Sequence, residues 1–316
     1  MKYILCLSLP LLWFNSFFSQ SPYNAGLKKV VFYNDTVNYE FMEYEGPLPF
    51  FCYIWYPTEE TPDSNFKVED YFQRELSDPS LKNIHDTVIE NYRGTIKYYG
   101  IQERVGSFRE VKFKRKQKKC FDAVLRLKHP VAINAKPVQK KFPLVIYHHG
   151  AGGTAEENSY LCEMLARNGY VVVSSNFHWP IIGKYWGAML ESTYSVQDVI
   201  HVKNEMKKLS EFELGNTYYI GHSAGAQIGI LTNADKNRHF DLFISFDTTL
   251  ESADSARTYR SWPYMCKIKD SLAHRITTPT IFITAKNSRA RKKWSLRGMW
   301  VGPRWYYFNQ LHHTPR

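Results

Sequence analysis

The chain has 316 residues, of which 44% are hydrophobic and 22% are charged, and its formal net charge is +11. These proportions are those of a globular protein and exclude a disordered or low-complexity chain. The length suits one large α/β domain. No nucleic-acid motif accompanies the positive charge, so nucleic acid is not an expected partner.

The first 20 residues are predicted to be a secretory signal peptide. Lys2 precedes an apolar run from Tyr3 to Phe18, which is short for a membrane span. An uncleaved membrane anchor is the alternative. We therefore expect an exported protein, periplasmic or extracellular, with residues 21–316 forming a single domain.

Much of the positive charge lies in two runs. They are "KFKRKQKK", Lys112 to Lys119, and "RARKKW", Arg289 to Trp294. One interpretation is that these lysine and arginine side chains lie on strand and loop faces exposed to solvent. The other is peripheral contact with an anionic membrane surface.

The cysteines outside the predicted signal peptide are widely spaced and fit no zinc-binding pattern. They are Cys52, Cys120, Cys162 and Cys266. Four cysteines allow three pairings, and the sequence does not choose among them. Cys162 lies in a helical pattern, and we expect it to be buried and free.

The N-terminal half begins with a segment of β character. Residues 27–57 are rich in β-branched and aromatic residues and predict an antiparallel hairpin or meander. Residues 64–109 are polar with helical spacing and are predicted to be a helical insertion. Residues 109–127 return to the alternation that is typical of a strand.

From Phe142 onward, apolar runs alternate with helical patterns. The predicted strands lie in "PLVIYHHG", "YVVVSSN", "TYYIG", "FDLFISFD", "TPTIFITAK" and "RWYYFNQL". The predicted helices lie in "ENSYLCEMLARNG", "STYSVQDVIHVKNEMKKLSE" and "SAGAQIGILTNA". Strands that are apolar throughout are buried on both faces, so we expect a doubly wound, mostly parallel sheet. The chemistry of such sheets lies at the C-terminal ends of their strands.

One short motif at such a strand end predicts a nucleophile. Ser223 lies in "GHSAG", between Gly221 and Gly225, after a buried strand and before a helix. That context is the one of a nucleophile elbow. The amide of Ala224, directly after the serine, is a candidate oxyanion donor. The amide of Ala151 in "HHGAGG", at the end of an earlier strand, is the candidate second donor.

The remaining members of a Ser–Asp–His triad must follow the serine in the chain. Asp247 ends the strand "DLFISF" and is the candidate acid, with Asp254 as the fallback. His312 and His313 follow the last predicted strand. We expect one of them to be the base, with His313 preferred over His312.

These motifs resemble the α/β-hydrolase superfamily, and within it the platelet-activating-factor acetylhydrolase and dienelactone-hydrolase-like branch. The segments that carry the resemblance are "IWYP", "FPLVIYHHGAGG…LARNGYVVVSSNFH", "GHSAGA", "ISFD" and "LHHT". The resemblance implies Ser223 as nucleophile, Asp247 as acid, His313 or His312 as base, and the amides of Ala151 and Ala224 as oxyanion donors. It implies no metal and no organic cofactor. The chain ends at Arg316, before the C-terminal helix that this branch normally has.

The leading hypothesis is therefore an exported serine hydrolase of carboxylic esters, with a small-molecule or lipid ester, such as an acetyl ester, as substrate. Two alternatives remain. One is a catalytically inactive binding protein with the same fold, and the other is a secreted peptidase that uses the same triad. The sequence does not indicate the oligomeric state.

Overall fold

A computed structural model describes most of the chain. The described residues are 21–41, 43–89, 119, 122–150, 153–177, 194–235, 238–246, 277–283 and 305–308. The strands are β1 Asn24–Phe41, β2 Tyr44–Thr58, β3 Ala132–Ile133, β4 Phe142–His148, β5 Val171–Ser175, β6 Leu214–His222, β7 Leu242–Phe246, β8 Thr280–Ile283 and β9 Trp305–Phe308. The helices are α1 Val68–Tyr71, α2 82–89, α3 122–125, α4 Ser159–Arg167, α5 Tyr194–Lys208 and α6 Ala224–Asn233, and a 3₁₀ turn, Pro79–Leu81, precedes α2.

The strands form one sheet in the order β3-β1-β2-β5-β4-β6-β7-β8-β9. β1 pairs antiparallel with β2, and β2 pairs antiparallel with β5. From β5 through β9 every pairing is parallel. The predicted fold class, a mostly parallel sheet with antiparallel strands at its N-terminal side, is confirmed. β4, β6 and β7 are neighbours and run in the same direction, so their C-terminal ends lie side by side.

The hydrophobic core has two parts, one on each face of this sheet. On one face, Ile146 of β4 packs in a cluster with Val199 of α5 and Ile228 of α6. On the other face, Val145 of β4 packs with Cys162 of α4. Consecutive residues of one strand thus enter opposite clusters, which explains why the central strands are apolar throughout.

The segment that carries strand-like alternation in the sequence differs from its prediction. Residues 122–125 are helical and belong to α3. Leu125 packs against a small cluster formed by Val68, Phe72 and Ile89. Tertiary packing against α1 and α2 therefore outweighs the local alternation, and the strand prediction for this part of residues 109–127 is wrong.

The structure bears on two further expectations. Cys162 is buried and free, as predicted, and Cys52 is also a buried free thiol. Cys120 and Cys266 lie outside the described residues, and so does the predicted signal peptide. No helix in the described part of the chain is both long and apolar enough to cross a membrane.

Candidate active site

Ser223 occupies a strained turn between β6 and α6. Its backbone has φ 49° and ψ −111°, and it is the residue between the end of the strand and the start of the helix. Among the described residues, Asn134 is the only other non-glycine residue with positive φ. Residues other than glycine rarely adopt such a φ, which costs on the order of 1–3 kcal/mol and persists only where the surrounding structure imposes it. The backbone of Ser223 therefore has the sharp bend that the motif requires.

The glycines on either side of Ser223 are required by close backbone contacts. A Cβ at Gly221 would lie 2.5 Å from the Ala226 nitrogen. A Cβ at Gly225 would overlap the carbonyl oxygen of His148 and would lie 2.6 Å from that of His149. The start of α6 is thus packed directly against the C-terminal end of β4, which only a glycine allows.

Backbone hydrogen bonds fix the serine to the neighbouring strand. The Ser223 amide donates to the carbonyl oxygen of Phe246, the last residue of β7, at 2.9 Å. The Ser223 carbonyl accepts from the amides of Ala226 and Gln227 at 3.1 and 3.2 Å. Ala224 is the first residue of α6, and the first amides of a helix have no partner within that helix. An amide at this position is suited to binding an anion.

The end of β4 lies against this turn. A Cβ at Gly150 would be 2.9 Å from Nδ1 of His222 and 3.4 Å from Cβ of Ser223. The "HHG" segment and the serine motif are therefore in contact, as expected for two strand ends that build one site. His149 is buried, and burial lowers the pKa of its imidazole.

The structure places some of the predicted site residues and not others. Ser223 and Ala224 lie at the start of α6. The candidate acid, both candidate bases and the second oxyanion donor lie outside the described residues; these are Asp247, Asp254, His312, His313 and Ala151. The roles of these residues stay predictions.

A carboxylate that the sequence did not reveal joins the two strand ends. Oε2 of Glu157 accepts a hydrogen bond from the Gly150 amide at 2.9 Å. Oε1 of the same carboxylate contacts Nδ1 of His222 and accepts from the Tyr147 hydroxyl at 3.0 Å. No local pattern could have indicated this contact, because Glu157 and His222 are 65 residues apart in the chain.

The electrostatics of Glu157 favour its charged form. Burial alone would raise the pKa of this carboxyl group. The hydrogen bond and charge of His222, the charge of His149 and the Gly150 amide outweigh burial, and the pKa is lowered. In the part of the chain that the structure describes, no group of three or more His, Cys, Asp or Glu side chains is placed to hold a metal ion.

Comparisons with known proteins agree with this architecture. Residues 97–178 match the family model of platelet-activating factor acetylhydrolase, isoform II. The solved structure of ferulic acid esterase from Streptomyces cinnamoneus superposes with a TM-score of 0.53 at 15% identity, over 90% of this chain and 72% of the esterase. No curated protein matches the sequence.

Two further solved structures align with about half of the chain. Est1E from Butyrivibrio proteoclasticus gives a TM-score of 0.38 at 14% identity, over 53% of this chain and 78% of its own. Acylaminoacyl peptidase from Pyrococcus horikoshii gives 0.41 at 15% identity, over 55% of this chain and 33% of its own. The strand order and the superposition on the ferulic acid esterase show that the chain has the α/β-hydrolase fold, and the match over residues 97–178 confirms its resemblance to the platelet-activating-factor acetylhydrolases.

Proposed function

We propose that the protein is a serine hydrolase that cleaves carboxylic esters through an acyl-enzyme. The observation that carries this proposal is the positive φ of Ser223, held between β6 and α6 by two glycines that contact neighbouring backbone. Strained residues of this kind cluster at active sites, where the surrounding structure maintains them. The family match over residues 97–178 supports an ester as the substrate.

In the proposed reaction, the Ser223 hydroxyl oxygen attacks the carbonyl carbon of the ester, and His313 or His312 takes the hydroxyl proton. Asp247 holds that imidazole in one tautomer and stabilises its protonated form. The negative charge that develops on the carbonyl oxygen is bound by the amides of Ala224 and Ala151.

The intermediate then collapses. The bond to the alcohol oxygen breaks, the imidazolium returns its proton to the leaving alcohol, and the acyl group remains on Ser223. A water molecule then attacks the acyl carbon while the same histidine takes its proton. The bond to the Ser223 oxygen breaks, the imidazolium returns the proton to that oxygen, and the carboxylic acid is released. These steps need no metal and no organic cofactor.

The proposed substrate is a small-molecule or lipid ester with a short acyl chain, such as an acetyl ester. The similarity of residues 97–178 to a platelet-activating factor acetylhydrolase supports this class. The proposed compartment is periplasmic or extracellular, on the strength of the apolar segment from Tyr3 to Phe18.

Hydrolysis of p-nitrophenyl esters of increasing acyl length tests the proposal. We expect the acetyl ester to be cleaved, and Ser223→Ala to lower kcat by at least ~10³-fold, because the attacking oxygen is lost. Ser210→Ala is the matched control, because Ser210 lies in an exposed turn after α5. A wild-type protein that leaves every ester intact would contradict the proposal.

Two other outcomes correspond to the alternative functions. A folded protein that binds lipid and cleaves no ester would be a binding protein on a hydrolase fold. Cleavage of acylated peptides in preference to esters would indicate a peptidase, since the same triad serves both reactions.

A further inference from the structure

We infer that Glu157 is a positioning residue of the Ser223 site, and this inference rests on the proposed function. Glu157 lies in the turn before α4, outside the predicted triad. Its carboxylate joins Gly150, which follows β4, to His222, which directly precedes Ser223. It therefore fixes Gly150, the residue before the predicted oxyanion donor Ala151, relative to the nucleophile.

This contact lies just beyond the end of the hydrogen-bonded ladder between β4 and β6. The ladder between β4 and β6 ends at the pair His148 and Gly221. Gly150 and His222 lie just beyond that pair. Glu157 links them through its two carboxylate oxygens, one to each strand end. The carboxylate thus continues the connection between the strands at the point where the ladder stops and the catalytic groups begin.

Gly153, like Gly150, lies close to this carboxylate. The Gly153 amide donates to the Gly150 carbonyl oxygen at 3.0 Å. A Cβ at Gly153 would overlap Oε2 of Glu157, so a side chain there would force the carboxylate to move. The Glu157 side chain is 20% exposed, and both of its oxygens have partners. A carboxylate on the surface is bound mainly by water, whereas that of Glu157 contacts Tyr147, Gly150 and His222.

Several titratable groups face this carboxylate. They are His222 at the end of β6, His149 and Tyr147 at the end of β4, and Cys162 of α4. Burial raises the pKa of the Tyr147 hydroxyl, so it donates as a neutral group. Because a carboxylate only accepts hydrogen bonds, His222 must carry a proton on Nδ1. His222 is thereby held in one tautomer and one orientation beside Ser223.

A positioning role predicts a loss of turnover with little change in substrate binding. Misplacement of a reacting group by about 1 Å can cost about 10²-fold in rate. For Glu157→Ala we expect kcat to fall about 10- to 100-fold while KM stays within about threefold. For Glu157→Gln, which keeps the size and one acceptor oxygen, we expect a loss of less than about tenfold.

A glutamate outside the Ser223 site provides the matched control. Glu163 of α4 contacts Nδ1 of His129 at 2.6 Å and accepts from the Tyr71 hydroxyl at 2.7 Å. It has the same kinds of partners as Glu157, but they lie on α1 and in the segment before β3. Glu163→Gln should lower the melting temperature and leave kcat within about threefold of the wild type.

The test combines kinetics on an acetyl ester with the ¹⁵N signals of His222, assigned through His222→Gln. The inference is supported if Glu157→Ala loses turnover, Glu157→Gln recovers much of it, and the Nδ1-protonated signature of His222 is present in the wild type and lost in Glu157→Ala. An active wild type whose turnover is unchanged by Glu157→Ala would overturn the inference alone. A wild type that cleaves no ester would overturn the proposed function, whatever the signals show. If the alanine variant does not fold, the glutamine variant and the His222 signature decide.

Discussion

At the scale of single residues, the candidate site depends on backbone conformations and close contacts that few residue types tolerate. Ser223 has a positive φ, and Gly225 lies so close to the end of β4 that a Cβ would overlap the His148 carbonyl oxygen. The strained backbone of Ser223 is thus maintained by the contacts of the neighbouring glycine as much as by the hydrogen bonds of the serine itself.

The cost of these contacts can be measured by adding one methyl group. Gly225→Ala should lower the free energy of unfolding by about 1–3 kcal/mol, because the new Cβ forces the strand end away from the helix. It should also abolish ester hydrolysis, because that movement displaces Ser223. Urea unfolding and the acetyl-ester assay measure the two effects.

Gly215→Ala serves as the control for this change. A Cβ there would meet its nearest neighbour at 3.5 Å, an ordinary contact. We expect both stability and activity to stay close to the wild type. Equal effects of the two substitutions would show that the close contact at Gly225 is not required.

At the scale of elements, the sequence predicted the strands that are buried on both faces. β4 and β5 are mostly apolar because their residues enter clusters on both sides of the sheet. Residues 122–125 were mispredicted, because a run such as Ala123-Val124-Leu125 suits a strand or a helix and only the packing of Leu125 decides.

Helix α5 carries a buried acid that gives this element a pH dependence. Asp198 is 1% exposed, and its Oδ2 has no hydrogen-bond partner among the described residues. Burial raises the pKa of this carboxyl group well above its ordinary value of 3.8. The folded protein therefore keeps the proton while the unfolded chain releases it, and stability falls as the pH rises above about 3.8 towards the folded-state pKa.

Asp198→Asn should remove this dependence. At pH 7 we expect the variant to be more stable than the wild type by about 1 kcal/mol or more, since the unfolded chain no longer gains from ionisation. The difference should shrink as the pH approaches 3.8 and vanish below it. Thermal melts of both proteins across this range measure it, and a variant that is less stable at pH 7 would contradict the assignment of a neutral acid.

At the scale of the whole molecule, the site is assembled from segments that are far apart in the chain. The motif around Ser223 and the glycine-rich segment after β4 could be found from the sequence, because each follows an apolar run and contains glycines. Glu157 could not, because its contact with His222 depends on β4 and β6 being adjacent in the sheet. Local patterns indicate elements, whereas strand order determines which residues meet.

The most direct test of the central claim is the site of covalent labelling by a fluorophosphonate. Incubation of the wild type should add one phosphonyl group, and peptide mass mapping should place it on Ser223. Ser223→Ala should remain unlabelled, and Ser210→Ala should be labelled like the wild type. Absence of labelling in a folded wild-type protein, or an adduct on another residue that persists in Ser223→Ala, would contradict the account.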